Sequence, residues 1–369
     1  MSWKLEGLDD GSFAQKLLDD RTIWLHSLKD CPQDPIHHAE GDVLTHVLLV
    51  CQELIKLPQF LALNDLEKQI LAWAAILHDV SKPSCNIIGV DGRISSPGHA
   101  AKGAVKARGI LWDLNCPFEV REEICGLIKY HMTVAWILER DDPERLIRKI
   151  SLACRCDHLA MLATADMLGR KCQDQQDMLE RVELFRQLAE DADCLNGPAE
   201  FASDLCRYQY LQGSWHNPET PPYETFKSKV ILLSGLPGSG KDTWIEKKGP
   251  HWPVISLDKI RQELGISPKG NQGKVLELAR ERAREFLRRG QAFIWNATNT
   301  SRRIRSKPIS LFMEYGAHVK IVYLEQPAET LEKQNRDREA MVPWKAIQGM
   351  INKWEVPNLT EAHEIEYVI

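Results

Sequence analysis

"KVILLSGLPGSGKDTW", residues 229–244, decides how the second half of the chain is read. The apolar run 230–233 has the length of a buried strand, glycines follow at 235, 238 and 240, and Lys241 then opens a helical pattern. A strand, a glycine loop and a helix start in this order let backbone N–H groups curl around a β-phosphate while the lysine reaches the β and γ oxygens. Gly235, Gly238, Ser239, Gly240, Lys241, Asp242 and Thr243 are therefore the nucleotide-binding candidates, with ATP or another NTP and Mg²⁺ as cofactors. The usual pattern, G-x-x-x-x-G-K-[ST], places a metal-ligating hydroxyl directly after the lysine. Here that position is Asp242, and Thr243 comes one residue late. Carboxylate oxygen is itself a good Mg²⁺ ligand, so Asp242 is a metal candidate.

Outward from the loop, strands and helices alternate. "PVISLD", "AFIWNA" and "HVKIVYLE" are apolar runs of strand length. Between them "NQGKVLELARERAREFLRRG" and "SRRIRSKPISLFMEYG" carry helical periodicity, with Ser301 as N-cap and Gly290 and Gly316 as stops. Alternation of this kind predicts an α/β domain with a parallel sheet, over 228–369. Asp258 stands where the second strand ends, the edge at which ligands bind in such sheets. Its carboxylate is placed to accept the proton of a hydroxyl attacking a γ-phosphate, or to cap the helix beginning there. Arg261, three residues on, shares its helix face and suits a phosphate of the acceptor. Arg336 and Arg338, ahead of a Val-Pro stop, suit a lid over the nucleotide.

The first half differs. "DVLTHVLLVCQELIKL", "LEKQILAWAAILHDV", "AAKGAVKARGILWDL", "EVREEICGLIKYHM" and "SLACRCDHLAMLATADML" have apolar residues at three-and-four spacing, predicting an all-α domain over 1–210. Three prolines in "LQGSWHNPETPPYETFKS" mark a linker at 211–227. All ten cysteines lie between Cys31 and Cys206 without framework spacing and read as free thiols. Residues 1–226 hold 23 Lys+Arg against 35 Asp+Glu, and 227–369 hold 24 against 17. A second half at net +7 beside a first half at −12 suggests that the basic part meets a polyanion. "ARERAREFLRRG" and "SRRIRSK" are the stretches that would track it. No apolar run is long enough for a membrane span, and the acidic N-terminus lacks a signal-peptide core, so a cytoplasmic protein is expected.

Within the helical half, "ILHDVSK" sets His78 beside Asp79 near a helix end, with Lys82 one turn on. His37, His38, His46, His99, His131, Asp166 and Arg170 recur on the neighbouring segments. Imidazole with carboxylate favours a divalent transition metal such as Zn, Mn, Fe, Co or Ni. The order H…HD…H…H…D on successive helices resembles the HD phosphohydrolase superfamily. That resemblance implies a metal set of His46, His78, Asp79 and Asp166. It gives His99 and His131 to a second metal or to substrate phosphate, and Lys82 and Arg170 to holding that phosphate. His38 is taken as functional, as ligand or proton donor, and His37 as a bystander.

In the second half, GxxGxGK, S-x-D-x-x-R and N-R-x-R…V-P together resemble 5′-OH polynucleotide kinases. The likeness implies Asp258 as general base and Arg261 on the phosphate 3′ to the attacked nucleotide. Two departures stand out: Gln334 precedes Asn335 where the phage-type lid has arginine, and Asn296 replaces a frequent aspartate at the end of the third strand. Both halves in this order, over roughly 35–175 and 228–345, resemble the bacterial HD-domain polynucleotide kinases. The resemblance implies an end-healing enzyme. It would phosphorylate 5′-OH ends and remove 2′-, 3′- or 2′,3′-cyclic phosphates, working on RNA or DNA ends and passing them to a separate ligase. Two other readings compete: a nucleoside or metabolite kinase fused to a nucleotidase, and a non-catalytic nucleotide-gated switch.

Overall fold

The computed structural model describes residues 3–18, 22–223, 225–337 and 341–369. The chain divides into two compact units, 1–199 and 200–369. Among the described residues no helix is long and apolar enough to cross a membrane.

The first unit is helical. Its longer helices are α1 Val43–Leu54, α2 Asp65–Leu77, α3 His99–Asp113, α4 Phe118–Tyr130, α5 Pro143–Ser151, α6 Cys156–Gly169 and α7 Gln175–Asp191. Local chemistry sets their starts. The Asp42 side chain accepts from Thr45 N at the head of α1, and Asn64 and Glu67 form a reciprocal capping box at the head of α2. Close packing then brings chemistry-bearing turns together. A Cβ on Gly169 would lie 2.8 Å from Val50 Cγ2 and 2.9 Å from Val50 N, so only glycine lets α6 approach α1 this closely. Two expectations need correction. The unit is not purely α-helical, because Ile87–Ile88 pairs antiparallel with Ile94–Ser95 around the Asp91-Gly92 turn. The stretch 151–168 is also broken: α5 ends at Ser151 and α6 begins at Cys156. All ten cysteines are free thiols.

The second unit contains α8 Asp204–Gln212, β1 Ser228–Ser234, α9 Lys241–Lys247, β2 Val254–Ser256, α10 Leu257–Glu263 and α11 Gln272–Arg288. It continues with β3 Phe293–Asn296, α12 Arg302–Glu314, β4 Ala317–Leu324, α13 Ala328–Arg336, α14 Trp344–Ile351 and β5 Glu364–Val368. The strands form one fully parallel sheet in the order β2-β3-β1-β4-β5. On one face Val230, Leu232, Phe293, Trp295, Val319 and Ile321 meet Ala279, Ala283, Ile309 and Phe312 from the helices. On the other, Leu233, Ile294, Val322 and Leu324 meet Trp244 of α9. Burying each such side chain is worth about 1.5–3 kcal/mol, so the sheet is a rigid platform for the glycine loop at the end of β1.

Here too the structure departs from the expected boundaries. Helix α8 falls within the half expected to be all-α, but Arg207 Nε donates to Leu359 O at 3.1 Å, and the guanidinium also holds Ala362 O and His363 O. That anchor groups α8 with the sheet. Arg305 in "SRRIRSK" does not face a polyanion: it is fully buried, with Nε and Nη2 each 2.8 Å from the Glu361 carboxylate and Nη1 on Asn299 O and Glu355 O.

Candidate active sites

In the helical unit, all six candidate ligands sit at helix ends or in terminal turns. His46 is on the first turn of α1, His78 caps α2, Asp79 comes next, His99 opens α3 and His131 immediately follows α4. The sixth, Asp166, is on the last turn of α6. Three imidazoles are fixed by backbone carbonyls: Nδ1 of His78 lies 2.8 Å from Ala75 O, Nδ1 of His99 2.7 Å from Ser96 O, and Nδ1 of His131 2.7 Å from Ile128 O. A carbonyl only accepts, so these Nδ1 atoms carry the hydrogen, and in the neutral ring Nε2 keeps the lone pair. The Nε2 atoms converge in two pairs. Nε2 of His78 is 3.4 Å from Nε2 of His46, and Nε2 of His99 is 3.3 Å from Nε2 of His131.

Asp79 lies between the two pairs. Its Oδ2 is 3.3 Å from His78 Nε2 and 3.8 Å from His46 Nε2, while its Oδ1 is 3.3 Å from His99 Nε2 and 4.0 Å from His131 Nε2. Asp166 Oδ1 adds a contact of 3.1 Å to His46 Nε2. The donors form overlapping groups, His46–His78–Asp79 and Asp79–His99–His131, with His38–Glu40–His46 as a third, each with its donor atoms within 4.8 Å of one another. Buried imidazole nitrogens and carboxylate oxygens gathered this closely are the donor types that divalent transition metals take. The donor set therefore fits one or two divalent transition metals.

The cations predicted to hold phosphate are there as well. Lys82 Nζ is 2.7 Å from Asp79 Oδ2 and 2.7 Å from Gln33 Oε1. Arg170 grips Asp166 in a two-pronged pair, at 3.0 and 2.7 Å. Burial raises the Asp79 carboxyl, but the Lys82 ammonium and the His78 imidazole outweigh it and hold the group well below its ordinary range. Asp166 is likewise held low, against burial, by Arg170 and His46. Burial pushes His131 down to about 3 and His38 to about 4, leaving both neutral at physiological pH.

Two partners escape a reading by residue type. Glu40 Oε1 is 2.8 Å from His38 Nδ1 and 3.0 Å from His46 Nδ1, and Gln33 holds Lys82. A carboxylate on the outer nitrogen of a ligating histidine fixes its tautomer and raises its basicity. The available signal is the "HHAEGDVLTH" spacing, which sets an acid between two histidines. His37 is exposed at the rim, 3.9 Å from Asp174. A cleft of about 310 Å³ opens onto this cluster, with His38, Lys82, His99, His131 and Arg170 on its polar side.

In the second unit the glycine loop leaves β1, which lies between β3 and β4, so the loop sits at the crevice where the strand order reverses. Gly238 has φ of +86°, and a Cβ there would lie 3.3 Å from Asn335 N and Leu331 O, so only glycine lets α13 pack against the loop. Lys241 Nζ folds onto Gly235 O and Leu236 O, each at 2.9 Å. Asp242 and Asn296 meet: Asn296 Nδ2 donates to Asp242 Oδ1 at 2.7 Å. Ser239 is buried, and Thr243 is exposed.

Asp258 is in the first turn of α10 and pairs with Arg261, whose Nε donates to Gln272 Oε1 at 3.0 Å. The helix cap is Ser256, not Asp258, so the Asp258 carboxylate is exposed and free of capping duty. Arg336 is exposed in the last turn of α13, 3.4 Å from Glu332. Arg338 lies outside the described residues. Asn335, also on α13, holds both backbone groups of Val342, at 2.8 and 3.1 Å, a clamp that the lid pattern alone does not suggest.

Known proteins resemble parts of this chain. A family model described as an AAA domain matches residues 230–357. Among curated proteins, the Multifunctional CCA protein of Aromatoleum aromaticum is 30% identical over 140 residues, covering 34% of this chain and 32% of that protein. The L-seryl-tRNA(Sec) kinase of Methanococcus maripaludis is 22% identical over 143 residues, covering 37% and 56%. The chain thus spans about a third and just over half of these relatives' lengths. Among solved structures, one described as a kinase from Chloroflexus aurantiacus matches at TM-score 0.33 and 16% identity, over 39% of this chain and 86% of that one. A chain of a Pnkp1/Rnl/Hen1 complex matches at TM-score 0.28 and 23% identity, over 34% and 44%. The second unit is an α/β domain in which a P-loop-type glycine loop follows the central strand of a five-stranded parallel sheet, and residues 230–357 of it match the AAA-domain model.

Proposed function

We propose that the protein heals nucleic-acid ends with two active sites, a 5′-hydroxyl kinase in the second unit and a metal-dependent phosphoesterase of the HD type in the first. The observation that carries the reading is the pairing, within one chain, of a P-loop kinase-like domain with a buried histidine–aspartate cluster suited to divalent metal. Ends bearing 5′-OH and 2′,3′-cyclic phosphate need both activities before they can be joined, which gives the pairing a chemical logic. The name of one relative, L-seryl-tRNA(Sec) kinase, likewise couples a kinase to an RNA-borne acceptor.

In the kinase, Lys241 swings from the loop carbonyls to the β and γ oxygens when nucleotide arrives. Asp258, exposed at the strand edge, accepts the proton of the attacking 5′-OH, and Arg261 releases it to grip the adjoining phosphate. Asp242, held by Asn296, would ligate Mg²⁺ in place of the usual loop hydroxyl. Arg336 and Arg338 close over the transferring phosphoryl.

In the phosphoesterase, His46, His78, Asp79 and Asp166 hold metal, with His99 and His131 available for a second ion or for phosphate. A divalent ion there supplies water acidified to near neutral pH and neutralises phosphate charge. Lys82 and Arg170, each fixed by a ligand carboxylate, bind the phosphate oxygens. With its Nδ1 hydrogen on Glu40, His38 presents a bare Nε2, so it serves as proton acceptor or ligand.

The test is transfer of radiolabelled γ-phosphate from ATP to 5′-OH oligonucleotides, beside hydrolysis of 2′,3′-cyclic-phosphate ends. Lys241→Ala and Asp258→Ala should abolish only the first, and His78→Ala and Asp79→Ala only the second. Inert oligonucleotides in both assays, with turnover of free nucleosides or sugars, would replace this reading with that of a small-molecule enzyme.

A further inference from the structure

The cleft over the histidine cluster is lined by chemically different side chains: Lys82 and Arg170 carry positive charge, and Met132, Trp136 and Met178 are among the apolar members. A phosphate alone needs only the cations. Trp136 is the unusual member, because a large indole is left 38% exposed beside a polar site. The backbone kinks at this residue: φ of −120° and ψ of 17° interrupt the 3₁₀ turn that runs from His131 to Glu139. The ring is also braced. The Arg181 guanidinium carbon lies 4.9 Å from its centroid, and Arg181 is itself fixed by Ala135 O at 3.0 Å and Glu139 Oε1 at 2.7 Å. A braced, partly exposed indole lining the same cleft of about 310 Å³ as Lys82 and Arg170 matches a planar π-system attached to a phosphate.

Resting on the phosphoesterase reading, we infer that Trp136 is a base-stacking platform: the base of the terminal nucleotide lies on the indole while its phosphate meets Lys82 and Arg170. Stacking is indifferent to base identity, because every base has a π-face. The site therefore discriminates nucleotide from simple phosphoester and accepts all four bases.

The test compares two substrates on the full chain, adenosine 2′,3′-cyclic phosphate and abasic ribose 2′,3′-cyclic phosphate. The protein should prefer the base-bearing substrate in kcat/KM by about tenfold or more, the range expected for one base–aromatic stack. Trp136→Ala should shrink that ratio toward one through KM, and Trp136→Phe should retain most of it. A ratio near one in the unaltered protein, or an equal loss on both substrates in Trp136→Ala, would overturn the stacking assignment and leave the phosphoesterase standing. Hydrolysis of neither substrate would overturn both.

Discussion

Glu40→Gln tests whether the histidine cluster is built to hold metal. One carboxylate oxygen is hydrogen-bonded to His38 Nδ1 at 2.8 Å and lies 3.0 Å from His46 Nδ1, while the other accepts from Lys171 N at 2.9 Å. An amide cannot reproduce this. If its oxygen faces the histidines, its NH₂ meets the Lys171 N–H; if it flips, the NH₂ meets two imidazole N–H groups. Either way donor faces donor in a buried spot, at a cost of about 1–3 kcal/mol. Loss of the negative charge also lowers the basicity of His46 Nε2. Outer partners of ligating histidines typically contribute 10–100-fold in metal affinity, so the expected loss is about 1.4–2.7 kcal/mol of binding. The assay is competition for Zn²⁺ or Mn²⁺ against a chromophoric chelator on the full chain, at a temperature well below the variant's melting point. Asp79→Ala, which deletes the carboxylate common to the His78 and His131 donor groups, serves as the reference for lost binding. A Glu40→Gln variant that remains folded and binds metal within about twofold of the parent would refute the tautomer argument.

Two further substitutions address the second unit. Asp242→Asn should lower Mg²⁺-dependent phosphate transfer by about a hundredfold or more, since metal stabilisation of a phosphoryl transition state is worth several kcal/mol. Adding Asn296→Asp should restore part of it by returning the charge to the neighbouring strand; unchanged transfer in Asp242→Asn, measured by phosphate transfer at saturating ATP, would dismiss Asp242 as metal ligand. Arg305→Met should cost about 3–5 kcal/mol in urea unfolding, because Glu361 is left charged and buried without its partner. Arg305→Met with Glu361→Met should recover most of that loss, and an equally unstable double variant would assign the cost to the backbone bonds of Arg305 instead.

How much of the fold and of the sites is legible in the sequence depends on whether the signal is local. The apolar runs announce β1, β3 and β4 because buried parallel strands are apolar on both faces, and the short edge strand β2 shows in "PVISLD". Strand β5 gives no such signal: "EIEYV" pairs on one side only and leaves its glutamates half-exposed, so it lacks that apolar run. The histidines are legible as types in an order, but not Glu40, whose role appears only when the turn at Gly41 folds residues 38–40 back over α1. Arg305 misleads because a basic stretch looks the same whether its middle arginine points to solvent or to Glu361, fifty-six residues away. Composition reports charge, and only the fold reports its partner.

The loop aspartate shows how tertiary structure turns two anomalies into one. Asp242 stands where a hydroxyl is usual, and Asn296 where a carboxylate is frequent; in sequence they are 54 residues apart and independent. β1 and β3 are neighbours in the sheet, with Leu232 opposite Trp295, so the loop after β1 opens beside the end of β3. The two side chains accordingly meet at 2.7 Å, with the amide donating to the carboxylate. Two carboxylates at that distance would repel, and two neutral groups would leave the site without an anion for Mg²⁺. On the kinase reading proposed above, one of each satisfies both constraints, and the pair carries the single negative charge that a hydroxyl and an aspartate would carry there.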